Sequence, residues 1–129
     1  MISLAAEKQF EQKLKKWLES EGIYPLGTPS NEMSVEPCGY WIKRWGGGKF
    51  TQNGLPDMQI VVNGLSIECE LKAPNGKPSE LQKFMIKQIN ESHGIGIILY
   101  PKDFDKFKSF ILVIKNCLNY DHSKLWDLV

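Results

Sequence analysis

The spacing of apolar residues shifts along the chain, and each shift marks a different element. From Leu4 to Glu21 the apolar residues Phe10, Leu14, Trp17 and Leu18 recur at helical intervals, with Lys8, Gln12, Lys15, Lys16 and Glu19 facing water. This predicts an amphipathic helix ended by Gly22. Between Ile23 and Pro37 the periodicity is lost, and Pro25, Gly27, Pro29, Ser30, Asn31 and Pro37 predict turns and irregular chain. Tyr40 to Trp45 has strand composition and runs into Gly46-Gly47-Gly48-Lys49. Val62-Asn63-Gly64-Leu65 sets an Asn-Gly pair between two apolar runs, the pattern of a hairpin closed by a two-residue type I′ turn. A loop over Ala73–Pro78 follows. Ser79 then opens a second helix with a buried stripe of Leu81, Phe84, Met85 and Ile89, ending at Gly94. Ile95 to Tyr100 predicts a buried strand, and Asp103 caps a third helix from about Phe104 to Cys117.

The hairpin carries the chemistry. A two-residue turn fixes the register, so Val62 faces Leu65, Ile60 faces Ile67, Met58 faces Cys69 and Asp57 faces Glu70. Opposed residues share a face, which sets two carboxylates side by side at a spacing where like charges destabilise a strand pair. A divalent cation is the natural counter-charge. Lys72, two residues beyond Glu70, projects from the same face. At Ser79 and Gln82 the capping-box spacing offers a purely structural role for Gln82.

Pro56-Asp57, then Glu70-Leu71-Lys72 after twelve intervening residues, resembles the PD-(D/E)XK nuclease signature. The flanks Leu55, Ile67-Glu68-Cys69, Ala73-Pro74 and Gln82 are similar to the VRR-NUC branch, which is related to Holliday junction resolvases; the likeness covers roughly Glu7 to Tyr100. It implies an α/β restriction-endonuclease-like core of helix, three-stranded hairpin sheet, helix and strand. It further implies a metal site of Glu7, Asp57, Glu70 and the Leu71 carbonyl binding Mg²⁺ or Mn²⁺, with Asp57, Glu70, Lys72 and Gln82 as catalytic residues. Glu7 fits the VRR-NUC spacing on the first helix and Glu11 fits that of the archaeal resolvases; the expectation rests on Glu7. The segment from Lys43 to Lys49 resembles a flap in which Lys43, Arg44 and Lys49 meet phosphates and Trp41, Trp45 or Phe50 stack on bases. A plain connection with core tryptophans explains that composition as well. The implied activity is a metal-dependent DNA endonuclease acting as a homodimer on branched DNA such as four-way junctions. Nicked, flapped or duplex DNA, RNA, and a non-catalytic nucleic-acid-binding role stay open, because such a motif addresses phosphodiesters and not their context.

Composition bounds this reading. The 129 residues suit a single domain spanning the whole chain, and 42% hydrophobic with 24% charged residues is ordinary for a globular protein. A net charge of +1 means that any nucleic-acid surface must concentrate its basic residues locally. Cys38, Cys69 and Cys117 form no Cys-x-x-Cys pair, which argues against a zinc site or a disulfide framework. His93 and His122 lie outside the motif. Without a signal peptide or a long apolar run, the expected location is cytoplasmic, with no membrane partner and no organic cofactor. The large apolar residues of the third helix, with Leu118, Tyr120, Leu125, Trp126 and Leu128 beyond it, suit either a dimer interface or core packing.

Overall fold

A computed structural model describes residues 2–44, 54–117 and 122–129. It is a mixed α/β fold: α1 (Ile2–Ser20), β1 (Ile23–Pro25), β2 (Gly39–Lys43), β3 (Met58–Val62), β4 (Leu65–Leu71), α2 (Glu80–Glu91), β5 (Ile95–Leu99) and α3 (Phe104–Cys117). Short 3₁₀ turns span Ser30–Glu32, Pro101–Asp103 and Ser123–Leu128. The strands form one sheet in the order β1-β2-β3-β4-β5, parallel at β1/β2 and β4/β5 and antiparallel at β2/β3 and β3/β4.

The hairpin forms in the expected register, Val62 against Leu65 and Met58 against Cys69. Both turn residues take positive φ, +48° at Asn63 and +84° at Gly64, as a type I′ turn requires. Asn63 also donates from Nδ2 to the Lys115 carbonyl at 2.9 Å, tying the turn to the last turn of α3. Period-two alternation sends Met58, Ile60, Val62, Ile67, Cys69 and Leu71 to one face of the sheet, where they are buried. Phe10, Leu14 and Leu18 of α1 and Phe104, Phe107, Ile111 and Ile114 of α3 complete that core. Phe104 meets Phe10 edge-on at 5.5 Å and Trp17 at 6.2 Å.

Three expectations are corrected. The segment after Gly22 is not wholly irregular, because Ile23, Tyr24 and Pro25 pair with Gly39, Tyr40 and Trp41 as an edge strand. The stripe of α2 is turned: Leu81 and Phe84 are 43% and 57% exposed, and the helix sets Ile86, outside the expected stripe, together with Ile89, within it, against the bare backbone of Gly96. A helix over the edge pair β4 and β5 has little sheet beneath it, and none of its residues is buried. For the same reason β5 is half-buried rather than buried, with Leu99 its one fully covered residue. The glycine flap, with Trp45, Lys49 and Phe50, lies outside the described residues, as do Leu118 and Tyr120. Among the described residues no helix is long and apolar enough to cross a membrane.

Candidate active site

Asp57 sits one residue before β3, at the end of the hairpin away from its turn. There the β3/β4 ladder has ended, and Asp57 Oδ2 accepts the Leu71 N–H at 2.9 Å in place of a ladder carbonyl. Arg44 holds the approach to Asp57 from β2. Its N–H donates to the Asp57 carbonyl at 2.7 Å, its Nη1 to the Pro56 carbonyl at 3.0 Å, and its guanidinium forms a two-pronged pair with Glu68 of β4. Those hydrogen bonds to Glu68 raise the Arg44 pKa, so the cation is permanent.

Glu70 lies across from Asp57 and is 2% exposed. Its Oε2 accepts from Gln82 Nε2 at 3.0 Å and from Lys72 Nζ at 3.3 Å; its Oε1 is buried and has no hydrogen-bond partner among the described residues. Burial and then the Asp57 charge push the Glu70 carboxyl up to about 7, against the opposing pull of Lys72. Gln82 satisfies both readings of its position at once. Its Oε1 accepts the Ser79 N–H at 2.9 Å while the Ser79 hydroxyl accepts the Gln82 N–H at 3.1 Å, a complete capping box, and its Nε2 reaches Glu70.

The first helix brings two carboxylates to the region, and their surroundings differ. Glu11 pairs with Lys15 at 3.0 Å and with Lys43. Burial pushes its carboxyl up, but the hydrogen bonds from Lys43 and Lys15 outweigh it and lower the pKa. Glu7 takes no hydrogen bond or salt bridge among the described residues and shares a cleft of about 170 Å³ with Asp57. Burial, then the Asp57 charge, raises its pKa, while Lys72 and Lys43 pull it down. Glu11 lines that cleft too, so of the pair Glu7 differs in having no salt bridge among the described residues.

Two of the phosphate-binding side chains expected at the flap, Lys43 and Arg44, are thus turned onto Glu11 and Glu68, and Lys49 lies outside the described residues. Leu71 is buried at the end of β4 with its N–H on Asp57. The residue that sequence reasoning missed is Glu68, whose one signal is its place two residues before Glu70 on the same face. Neither histidine reaches the site. His93 is exposed at the end of α2, and His122 lies against Gly64 at the far end of the hairpin.

The arrangement fits a hard divalent cation. A buried carboxylate with an oxygen unsatisfied and a second carboxylate across from it is a costly pair without positive charge between them. Among the described residues no three His, Cys, Asp or Glu side chains converge into a cage. Mg²⁺ keeps most of its waters and is typically held by one or two carboxylates with substrate phosphate, so an Asp57–Glu70 pair with Glu7 nearby has the matching donor set. Compared with family models, with curated proteins and with solved structures, the chain matches none of them.

The raised Glu70 pKa has a stability consequence. Between 4.5 and about 7 the folded chain keeps a proton on Glu70 that the unfolded chain has released, so stability falls as pH rises through that window. The loss is on the order of 3 kcal/mol for this one group. Urea titrations in EDTA should give a lower midpoint at pH 8 than at pH 5, and Glu70→Gln should flatten that difference. A Glu70→Gln protein with the parent's full pH slope would show that the proton resides elsewhere.

Proposed function

We propose that the protein is a Mg²⁺- or Mn²⁺-dependent endonuclease that hydrolyses phosphodiester bonds of DNA, on a PD-(D/E)XK core of the VRR-NUC type. The observation that carries the reading is buried Glu70, with one oxygen held by Gln82 and Lys72, the other without a hydrogen-bond partner among the described residues, and Asp57 beside it. The sheet order, with β3 antiparallel to its neighbours and β5 parallel to β4, agrees with such a core.

Asp57, Glu70 and Glu7, with the Leu71 carbonyl, would hold the cation. When bound, it supplies an acidified water as nucleophile and neutralises charge on the scissile phosphate. Glu70 gives up its proton on binding, because a carboxylate ligand must be ionised. Gln82 fixes the Glu70 carboxylate through Oε2 and leaves Oε1 for the ligand. Lys72 offsets the like charges of Asp57 and Glu70 and stabilises the negative charge that develops on the phosphate. Arg44 and Glu68 are positioning residues, since they hold the Pro56-Asp57 backbone and not the substrate.

The substrate class is branched DNA, with four-way junctions cut by a homodimer. A two-fold dimer supplies two active sites for paired nicks. Exposed Leu112, Val113, Leu125 and Trp126 provide apolar surface for self-association, whereas Phe104, Phe107, Ile111 and Ile114 are already spent on the core.

Asp57→Ala and Glu70→Ala should each lower the cleavage rate in Mg²⁺ by at least about a hundredfold with the fold retained, and Lys72→Ala should cost roughly 10²–10³ in rate while leaving cation binding intact. Undiminished cleavage by either carboxylate variant sinks the assignment. On α1, Glu7→Gln should weaken Mg²⁺ binding in a calorimetric titration more than Glu11→Gln, and the reverse order would transfer the role to Glu11. Across four-way, three-way, flap, duplex and single-stranded DNA and RNA, the four-way junction should be cut fastest and light scattering should report a dimer. Equal rates on junction and duplex, or a 14.8 kDa particle, would remove the resolvase while keeping the nuclease.

A further inference from the structure

With Lys43 and Arg44 occupied by Glu11 and Glu68, the positive charge that would meet a nucleic acid is sought elsewhere on the surface, and α1 carries it. Its outer face presents Lys8, Lys13 and Lys16, all exposed and outside any salt bridge among the described residues. With Gln12 they line a groove of about 790 Å³ walled by Pro74 and Pro101, and among the described residues no carboxylate lines it. In a chain of net charge +1, a groove with three lysines and no acid is a concentration of charge. We propose that this groove seats the sugar-phosphate backbone of a nucleic-acid strand on its way to Asp57 and Glu70; the destination rests on the nuclease reading above.

Two further observations select this occupant. Lys8 lines both the groove and the cleft that contains Glu7, Glu11 and Asp57, so the groove adjoins the carboxylate site at that residue. Lys8 to Lys16 spans roughly 12 Å of helix axis, the rise of about three to four nucleotides along one strand. An anionic membrane is the poorer fit. Phe10, Leu14 and Leu18 of α1 are buried in the core, and beside the lysines the helix exposes Leu4 as a lone large apolar side chain among the described residues, too little apolar surface to insert into lipid.

The test uses the full chain carrying Asp57→Ala, so that bound DNA is not cut, with a fluorescent duplex and a four-way junction in EDTA over a salt series. Adding Lys8→Gln, Lys13→Gln and Lys16→Gln should weaken binding at least about tenfold at 0.1 M salt. It should also reduce the magnitude of the log–log salt slope by about 2–3, since each lost phosphate contact accounts for about 0.9 on a duplex. Arginine at the same three positions should restore both quantities. Lys83→Gln with Lys87→Gln, on α2, should change neither. An unchanged slope in the triple glutamine variant overturns the proposal, as does a parent that binds phosphatidylserine vesicles but not DNA. The two readings fail separately. Cleavage by the Asp57-bearing chain with the groove neutralised and KM unchanged discards the groove alone, whereas groove-dependent binding by a chain that cuts nothing discards the nuclease alone.

Discussion

The structure turns on two carboxylates that the hairpin register forces together. Nothing about Asp57 and Glu70 favours their meeting: Glu70 is nearly inaccessible to water, and the Asp57 charge raises the cost of ionising it. What holds them is the opposite face of the same two strands. Slipping the register by one residue would turn Met58, Ile60, Val62, Ile67, Cys69 and Leu71 out of the core, and each large side chain among them contributes roughly 1.5–3 kcal/mol by its burial. That sum exceeds the penalty of about 3 kcal/mol attached to Glu70. The repulsion is therefore kept in place by packing, and the site is strained electrostatically on a scaffold that cannot relax.

Around this pair the charges are assigned in a definite order. Arg44 is given to Glu68, and through its main-chain contacts it fixes where Asp57 begins. Lys43 and Lys15 are given to Glu11. Lys72 is the cation set against the pair itself, at 3.3 Å from Glu70. Lys72, with Lys43 also acting on Glu7, does not balance Asp57, Glu70 and Glu7 together, and Glu70 meets the deficit by holding a proton near neutrality. A divalent cation would meet it instead, exchanging that proton for metal.

Local signals were legible in the sequence and non-local ones were not. Asn63-Gly64 fixed the hairpin because the turn type and the alternation are both encoded within a few residues, and the facing of Asp57 and Glu70 followed by counting. The capping box at Ser79 and Gln82 was equally local. By contrast, β1 is a strand because of what it pairs with: Ile23-Tyr24-Pro25 carries a proline, and its partners start at Gly39. The face that α2 buries was misjudged because periodicity defines a stripe without saying which neighbour it meets; the informative residue was Gly96, a strand position bare enough for Ile86 and Ile89 to approach. Arg44 read as a cation available to phosphates because its partner, Glu68, sits two strands away across a register that no turn specifies.

The dual role of Gln82 follows from that thin packing. A helix with no buried residue, resting on an edge pair, has less apolar area to dock it than α1 or α3, and elements of that kind open at the low end of the free-energy scale. The bond from Gln82 Nε2 to Glu70 adds a charge-assisted tether when Glu70 is ionised and a weaker one when it is protonated. The same amide closes the capping box that starts the helix. The protonation of Glu70 is thus linked to how firmly the first turn of α2 is held, which joins the electrostatics of the site to the order of the element covering it.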